Sequence, residues 1–144
     1  MISAMVLSWM ILCSRKQSDN PMGYIRKRIL SFRYAFQGIE TLFRETPNIR
    51  LQLAAAIAAV IMGFLLHISR GEWLAIIIVT GGVFAMEAIN SALEHLSDFT
   101  CKHEIHPAIK KVKDISAAAV LLAAVAALAV GLVIFLPKII LLLS

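Results

Sequence analysis

Apolar residues recur along this chain in two rhythms, one amphipathic and one continuous. Between 24 and 44, Ile25, Ile29, Phe32, Phe36, Ile39 and Phe43 alternate spacings of four and three, which puts them on one stripe of a helix. Arg26, Lys27, Arg33, Gln37, Glu40 and Arg44 fall on the other faces. The pattern predicts a surface helix over 24–46, aromatic on one side and basic on the other, lying in the interface of an anionic membrane. Pro47 is expected to break it.

Three longer apolar runs follow, over 51–68, 73–96 and 115–136. The first is an uncharged run of 18 residues, about 27 Å of helix, and Ser69, Arg70, Gly71 and Glu72 make a tight turn after it. The second opens on Trp73, an interfacial anchor, and after fourteen apolar residues acquires Glu87, Asn90, Glu94 and His95. The third is Ala-rich, suited to close helix packing, with Pro137 and Lys138 at its far end. The segment 97–114, holding Pro107 and four Lys, reads as a polar connection. The expected fold is therefore an all-α integral membrane protein, an amphipathic surface helix followed by three transmembrane helices.

Composition agrees: 60% of the 144 residues are hydrophobic, 16% are charged, and the mean hydropathy is +0.83. No room remains for a separate soluble catalytic domain. The net charge of +5 suits anionic headgroups or a phosphate ligand. No basic run is interleaved with aromatics, so no nucleic-acid partner is expected. Eight of the fourteen basic residues lie in 15–50 and four in 97–114. The positive-inside rule then puts the surface helix and the 97–114 loop in the cytoplasm and the C-terminus outside. Residues 1–21 read poorly as a signal peptide and are taken as a dispensable or mis-started extension; 22–144 are one domain. Cys13 and Cys101 share no metal-type spacing and are expected to be free thiols.

The chemistry lies in the second span. Glu87, Asn90, Ser91, Glu94 and Asp98 are spaced 0, 3, 4, 7 and 11, and so share one side of a helix. Glu87 is about 10 Å deeper than Glu94, where a carboxylate facing lipid costs several kcal/mol, so it must face a partner or a polar cavity. Interhelical hydrogen bonding alone would account for Asn and Ser, but two glutamates on the stripe exceed what packing requires. A deep carboxylate suits a general base; one near solvent suits Mg²⁺, which takes one or two protein carboxylates and completes its shell with water and phosphates. Lys110, Lys111 and Lys113 lie on the same side, beside Asp114, where a Lys can offset phosphate charge. No Walker A or kinase Gly-rich loop occurs, and Gly81 and Gly82 lie inside a span. His67 and His95 read as interfacial side chains, and His103 with His106 is too sparse for zinc. A small proton-coupled transporter is the alternative from another class, since an intramembrane Glu also suits a proton relay.

Three segments carry a resemblance: GGVFAMEAINSALEH at 81–95, the Lys113-Asp114 pair leading into AAAVLL at 117–122, and SFRYAFQGI at 31–39. Together they look like the small prokaryotic diacylglycerol kinase and undecaprenol kinase family, over about residues 24–137. The Glu-His and His-Pro pairs and the closing FLPK at 135–138 look more similar to the undecaprenol kinase branch. The resemblance implies a bacterial inner-membrane homotrimer with shared active sites, transferring the γ-phosphoryl of MgATP to a lipid hydroxyl. The acceptor would be undecaprenol, or alternatively diacylglycerol. Residue by residue, Glu87 matches the family's general base, Asn90 a polar residue that with Glu87 meets the lipid, and Glu94 a metal ligand. Lys113 and Asp114 match the nucleotide-contacting pair, joined by Glu94. Glu104 with His106 matches a Glu-x-His contact, Tyr34 an aromatic contact, and Lys27 or Arg28 a basic one. There are two departures. The family's second metal carboxylate falls by strict counting on Thr46, with Glu45 one residue earlier as the substitute ligand. The 97–114 loop is also one residue longer than usual between Glu94 and His106.

Overall fold

The computed structural model describes residues 21–101 and 106–143, all but short connections being helical. The helices are α1 (Pro21–Glu45), α2 (Pro47–Leu65), α3 (Arg70–Cys101) and α4 (Pro107–Leu143). The last three are each long and apolar enough to cross a membrane. The all-α architecture with three spans is therefore as the hydropathy pattern predicts.

The boundaries differ from those expected, and proline explains much of the difference. Pro47 does not merely end α1: it sits in the first turn of α2, where the missing N–H would have had no intrahelical partner. Pro107 likewise opens α4. The expected loop 97–114 is thereby mostly helix, 97–101 completing α3 and 107–114 beginning α4, so only the short segment between Cys101 and Pro107 connects them. At the far end α4 runs through Pro137 to Leu143 rather than stopping at 136. Glu104, His103 and Cys13, like most of the 1–21 extension, lie outside the described residues.

Capping fixes the turn between α2 and α3. His67, at φ 48°, takes the left-handed conformation; its N–H bonds Phe64 O and that of Ile68 bonds Gly63 O, the paired bonds of a Schellman ending. Ser69 and Glu72 then cap α3 reciprocally, Ser69 N–H to Glu72 Oε2 at 2.6 Å and Glu72 N–H toward Ser69 Oγ at 3.4 Å.

The chain divides into two compact units, Met1–Ile39 and Glu40–Ser144. In the first, α1 leaves Ile25, Ile29, Phe32 and Phe36 exposed along its apolar stripe. In the second, α3 packs mainly along α4, with α2 in lesser contact. The interior of this unit has two halves. Around the α2–α3 turn it is apolar, Ile68, Ile76, Ile134 and Phe135 clustering with Met62 and Trp73. Toward the other end it is polar, holding buried Glu87, Asn90, Ser91, Ser97 and Ser116. That second half locates the candidate site.

Candidate functional site

Glu87, in the middle of α3, is only 1% exposed. Its Oε2 accepts a 2.8 Å hydrogen bond from Gln52 Nε2 of α2, and its Oε1 is buried with no partner among the described residues. Gln52 Oε1 is likewise buried and unpartnered. Buried polar atoms are nearly always satisfied, so two orphaned acceptors on one interacting pair point to a missing donor.

One turn along α3, Asn90 is held from both sides. Its Oδ1 accepts from Ser116 Oγ of α4 at 2.6 Å, and its Nδ2 approaches Glu94 Oε1 at 3.4 Å. The Ser116 hydroxyl also lies 3.0 Å from the Lys113 carbonyl oxygen and has one proton for the two acceptors. Glu94 itself is exposed. The stripe thus grades from a dry carboxylate to a wet one, with Asn90 between them.

The junction of α1 and α2 docks on the same stripe. Thr46 Oγ1 and Ser91 Oγ are hydrogen-bonded at 2.6 Å. Glu45, one residue earlier, reaches His95 Nε2 at 3.2 Å, next in the chain to Glu94. The end of α1 therefore places both the strict-count position and its substitute carboxylate against α3, each with a different neighbour.

Lys113 and Asp114, adjacent in sequence, take different partners. Lys113 Nζ bonds Asp98 Oδ1 at 2.6 Å, tying α4 to the last polar position of the stripe, whereas exposed Asp114 lies 3.5 Å from Lys110 Nζ. His106 is exposed, and its Nδ1 accepts the Ala108 N–H at 3.2 Å, capping the start of α4. In the first unit, Tyr34 is exposed, the Lys27 carbonyl oxygen accepts from Ser31, and the Arg28 guanidinium donates to Tyr24 Oη at 2.7 Å.

An apolar groove of about 520 Å³ runs between α2, α3 and α4, lined by Gln52, Ala55, Ala59, Val83, Ala127 and Gly131 among others. Gln52 belongs both to this lining and to the Glu87 hydrogen bond.

Among the described residues no three His, Cys, Asp or Glu side chains gather as a metal cluster. That arrangement still fits Mg²⁺, a hard cation that keeps several waters and asks for only one or two protein carboxylates when phosphates complete its shell. Glu94 offers an exposed carboxylate whose Oε2 has no bond among the described residues. Glu45 is already engaged with His95.

Sequence spacing found Glu87, Asn90, Ser91, Glu94 and Asp98 but missed their partners on other helices, Gln52 and Ser116. A signal for Gln52 existed: it is the one polar residue within the uncharged run 51–66, and a polar group inside a span asks for an explanation.

Three spans, a buried carboxylate, an exposed carboxylate on the same helix face and an apolar groove lined by the buried carboxylate's partner Gln52 fit a membrane enzyme acting on an amphiphilic substrate. The chain belongs to the prokaryotic diacylglycerol kinase family, whose model matches residues 33–135, and that family is one of lipid kinases. It is 44% identical to the undecaprenol kinase of Bacillus subtilis (strain 168) over 109 residues, 75% of this chain and 87% of that one. It is 35% identical to the diacylglycerol kinase of Synechocystis sp. (strain PCC 6803) over 109 residues, 76% of this chain and 62% of that one. The greater identity to the undecaprenol kinase agrees with the branch read from the sequence. No solved structure matches the chain. Family membership favours the kinase over the transporter considered above.

Proposed function

We propose that this chain phosphorylates undecaprenol, using MgATP as the phosphoryl donor. The observation that carries the reading is the buried, unpartnered Oε1 of Glu87, whose hydrogen-bond partner Gln52 lines an apolar groove. The groove, continuous with Glu87 through Gln52, accommodates the hydrocarbon tail and brings the primary hydroxyl to the carboxylate.

In the proposed reaction Glu87 takes the hydroxyl proton as the lipid oxygen forms its bond to the γ-phosphorus. The bond from that phosphorus to the β,γ-bridging oxygen breaks, and the products are lipid phosphate and ADP. Asn90 orients the acceptor. Glu94, with Glu45 as a second ligand, would hold Mg²⁺, which when bound would supply neutralisation of phosphate charge. Lys113 and Asp114, together with Glu94, Glu104, His106, Tyr34 and a basic residue at Lys27 or Arg28, contact the nucleotide. Positioning and charge neutralisation supply most of the catalysis in such a transfer.

The topology that brings a soluble nucleotide to this site has α1 and the α3–α4 connection in the cytoplasm, with the C-terminus outside. The assembly is a homotrimer with sites shared between subunits in a bacterial inner membrane, and 22–144 make up the kinase domain, with 1–21 dispensable to it. Diacylglycerol is a second acceptor reading, favoured by the 35% identical relative of that name.

The test offers undecaprenol and a diacylglycerol side by side in mixed micelles with γ-labelled ATP and Mg²⁺. Preferential labelling of undecaprenol is expected. Preferential labelling of diacylglycerol would replace the acceptor, and labelling of neither by the folded protein would overturn the kinase reading.

A further inference from the structure

Gln52 stands in α2, 35 residues from Glu87 in the chain, yet it provides the hydrogen-bond donor to the Glu87 carboxylate at 2.8 Å. A side-chain amide has two faces, and this one is oriented by chemistry. Turned over, its carbonyl would oppose a carboxylate oxygen, acceptor against acceptor. With the NH₂ group toward Oε2, the second carboxylate oxygen is left without a donor, and so is the amide's own carbonyl oxygen. Neither atom reaches solvent, so water in bulk does not satisfy them. The pair is thus an acceptor set with room for a hydroxyl donor.

We propose that Gln52 is the positioning residue for Glu87, a reading that rests on Glu87 being the general base. The amide occupies Oε2 and fixes the carboxylate plane, so that Oε1 alone is presented to the acceptor's hydroxyl. A carboxylate free to rotate would spend much of its time with neither oxygen aligned, and proton transfer depends on that alignment. Packing does not require an amide here: the neighbours of Gln52 along the groove, Ala55, Ala56 and Ala59, are apolar, and Leu would fill the same volume. Because Gln52 acts through Glu87, its removal should reduce the rate of the chemical step and leave nucleotide binding alone.

The experiment measures kcat and the KM for MgATP with the lipid acceptor in the full-length enzyme. Gln52→Leu is expected to lower kcat at least tenfold with KM for MgATP within twofold of wild type. Gln52→Asn, polar but one methylene too short to span the gap, should lose as much. Gln52→His, whose distal ring N–H lies close to the position of the Gln amide nitrogen, should recover to within threefold of wild type. The decisive arm is the double variant: in a Glu87→Gln background, Gln52→Leu should cost no more than twofold further, because the group it positions is gone. Near-native kcat in Gln52→Leu overturns the proposal, and so do losses that multiply in the double variant or equal losses in Asn and His. If Gln52→Leu fails to fold, the contrast between Asn and His decides. A wild-type enzyme that labels no lipid would instead defeat the kinase reading on which the proposal rests, and the same assay reads that outcome separately.

Discussion

Ser116 donates a 2.6 Å hydrogen bond to Asn90 Oδ1, joining α4 to α3 in the polar half of the bundle, and both residues are buried. Removing the hydroxyl leaves an amide oxygen inside the protein without its donor. Ser116→Ala should therefore destabilise the fold by about 1 kcal/mol, between the small mean for interhelical bonds in membranes and the larger cost of orphaning a buried group. Thermal unfolding in detergent reads this directly, as a lowered Tm with the helical content of the folded state unchanged. An unaltered Tm would mean that the Asn90 oxygen finds another donor.

Glu87→Gln keeps the shape of the side chain and removes its capacity to take a proton. Turnover with the lipid acceptor should fall by at least about 10², the scale of general-base catalysis, while MgATP affinity changes by no more than about threefold. Steady-state kinetics alongside nucleotide titration separates the two. Near-native kcat in this variant would remove Glu87 from the base role.

The α3 stripe was legible because i, i+3, i+4 arithmetic is internal to one helix: Glu87, Asn90 and Ser91 are all buried as their spacing requires. Gln52 and Ser116 were not legible as partners, since pairing across helices depends on how α2 and α4 are rotated against α3, which no local spacing encodes. The prolines misled for a different reason. Pro47 and Pro107 read as breakers, yet the same missing N–H that forbids a helix interior is harmless in a first turn, so each begins a helix. Thr46 shows the limit of motif counting: the position that strict spacing reserves for a carboxylate is hydrogen-bonded to Ser91, and the nearby Glu45 turns to His95.

Lys113 and Lys110 provide a paired comparison. Lys113 bridges helices to Asp98 at 2.6 Å, whereas Lys110 meets Asp114 one turn away on the surface of its own helix. If Lys113 serves the nucleotide, Lys113→Met should raise the KM for MgATP by roughly tenfold, the lower end of a charge-assisted bond because the side chain is partly exposed. Lys110→Met should change it by less than about twofold, as expected of an exposed i, i+4 pair. Equal effects from the two would assign Lys113 to the general positive field.

The two metal carboxylates should differ in weight. Glu94 is exposed and its Oε2 has no bond among the described residues, while Glu45 is engaged by His95. Glu94→Gln is therefore expected to raise the Mg²⁺ concentration for half-maximal rate by about tenfold, and Glu45→Gln by clearly less, in keeping with a cation that relies on few protein carboxylates. Activity measured against free Mg²⁺ at fixed ATP gives both shifts. The reverse order would make Glu45 the principal ligand, with the His95 contact giving way when the metal binds.

Gly63 marks the closest packing in the apolar half. A Cβ added there would lie 2.7 Å from Trp73 Cη2, 2.9 Å from Trp73 Cζ2 and 3.0 Å from Ile68 Cδ1. The indole is itself held against Phe64, ring centroids 5.0 Å apart, so it has little freedom to retreat. Gly63 also accepts the Ile68 N–H that ends α2, so a shift of its backbone would loosen the turn into α3. Overpacking of this kind costs about 1–3 kcal/mol. Gly63→Ala should lower Tm accordingly, and Trp73→Leu, destabilising alone, should cost less in the Gly63→Ala background because the clash is gone. A double-mutant cycle of unfolding free energies tests the coupling, and additive losses would show that the indole moves aside at no cost.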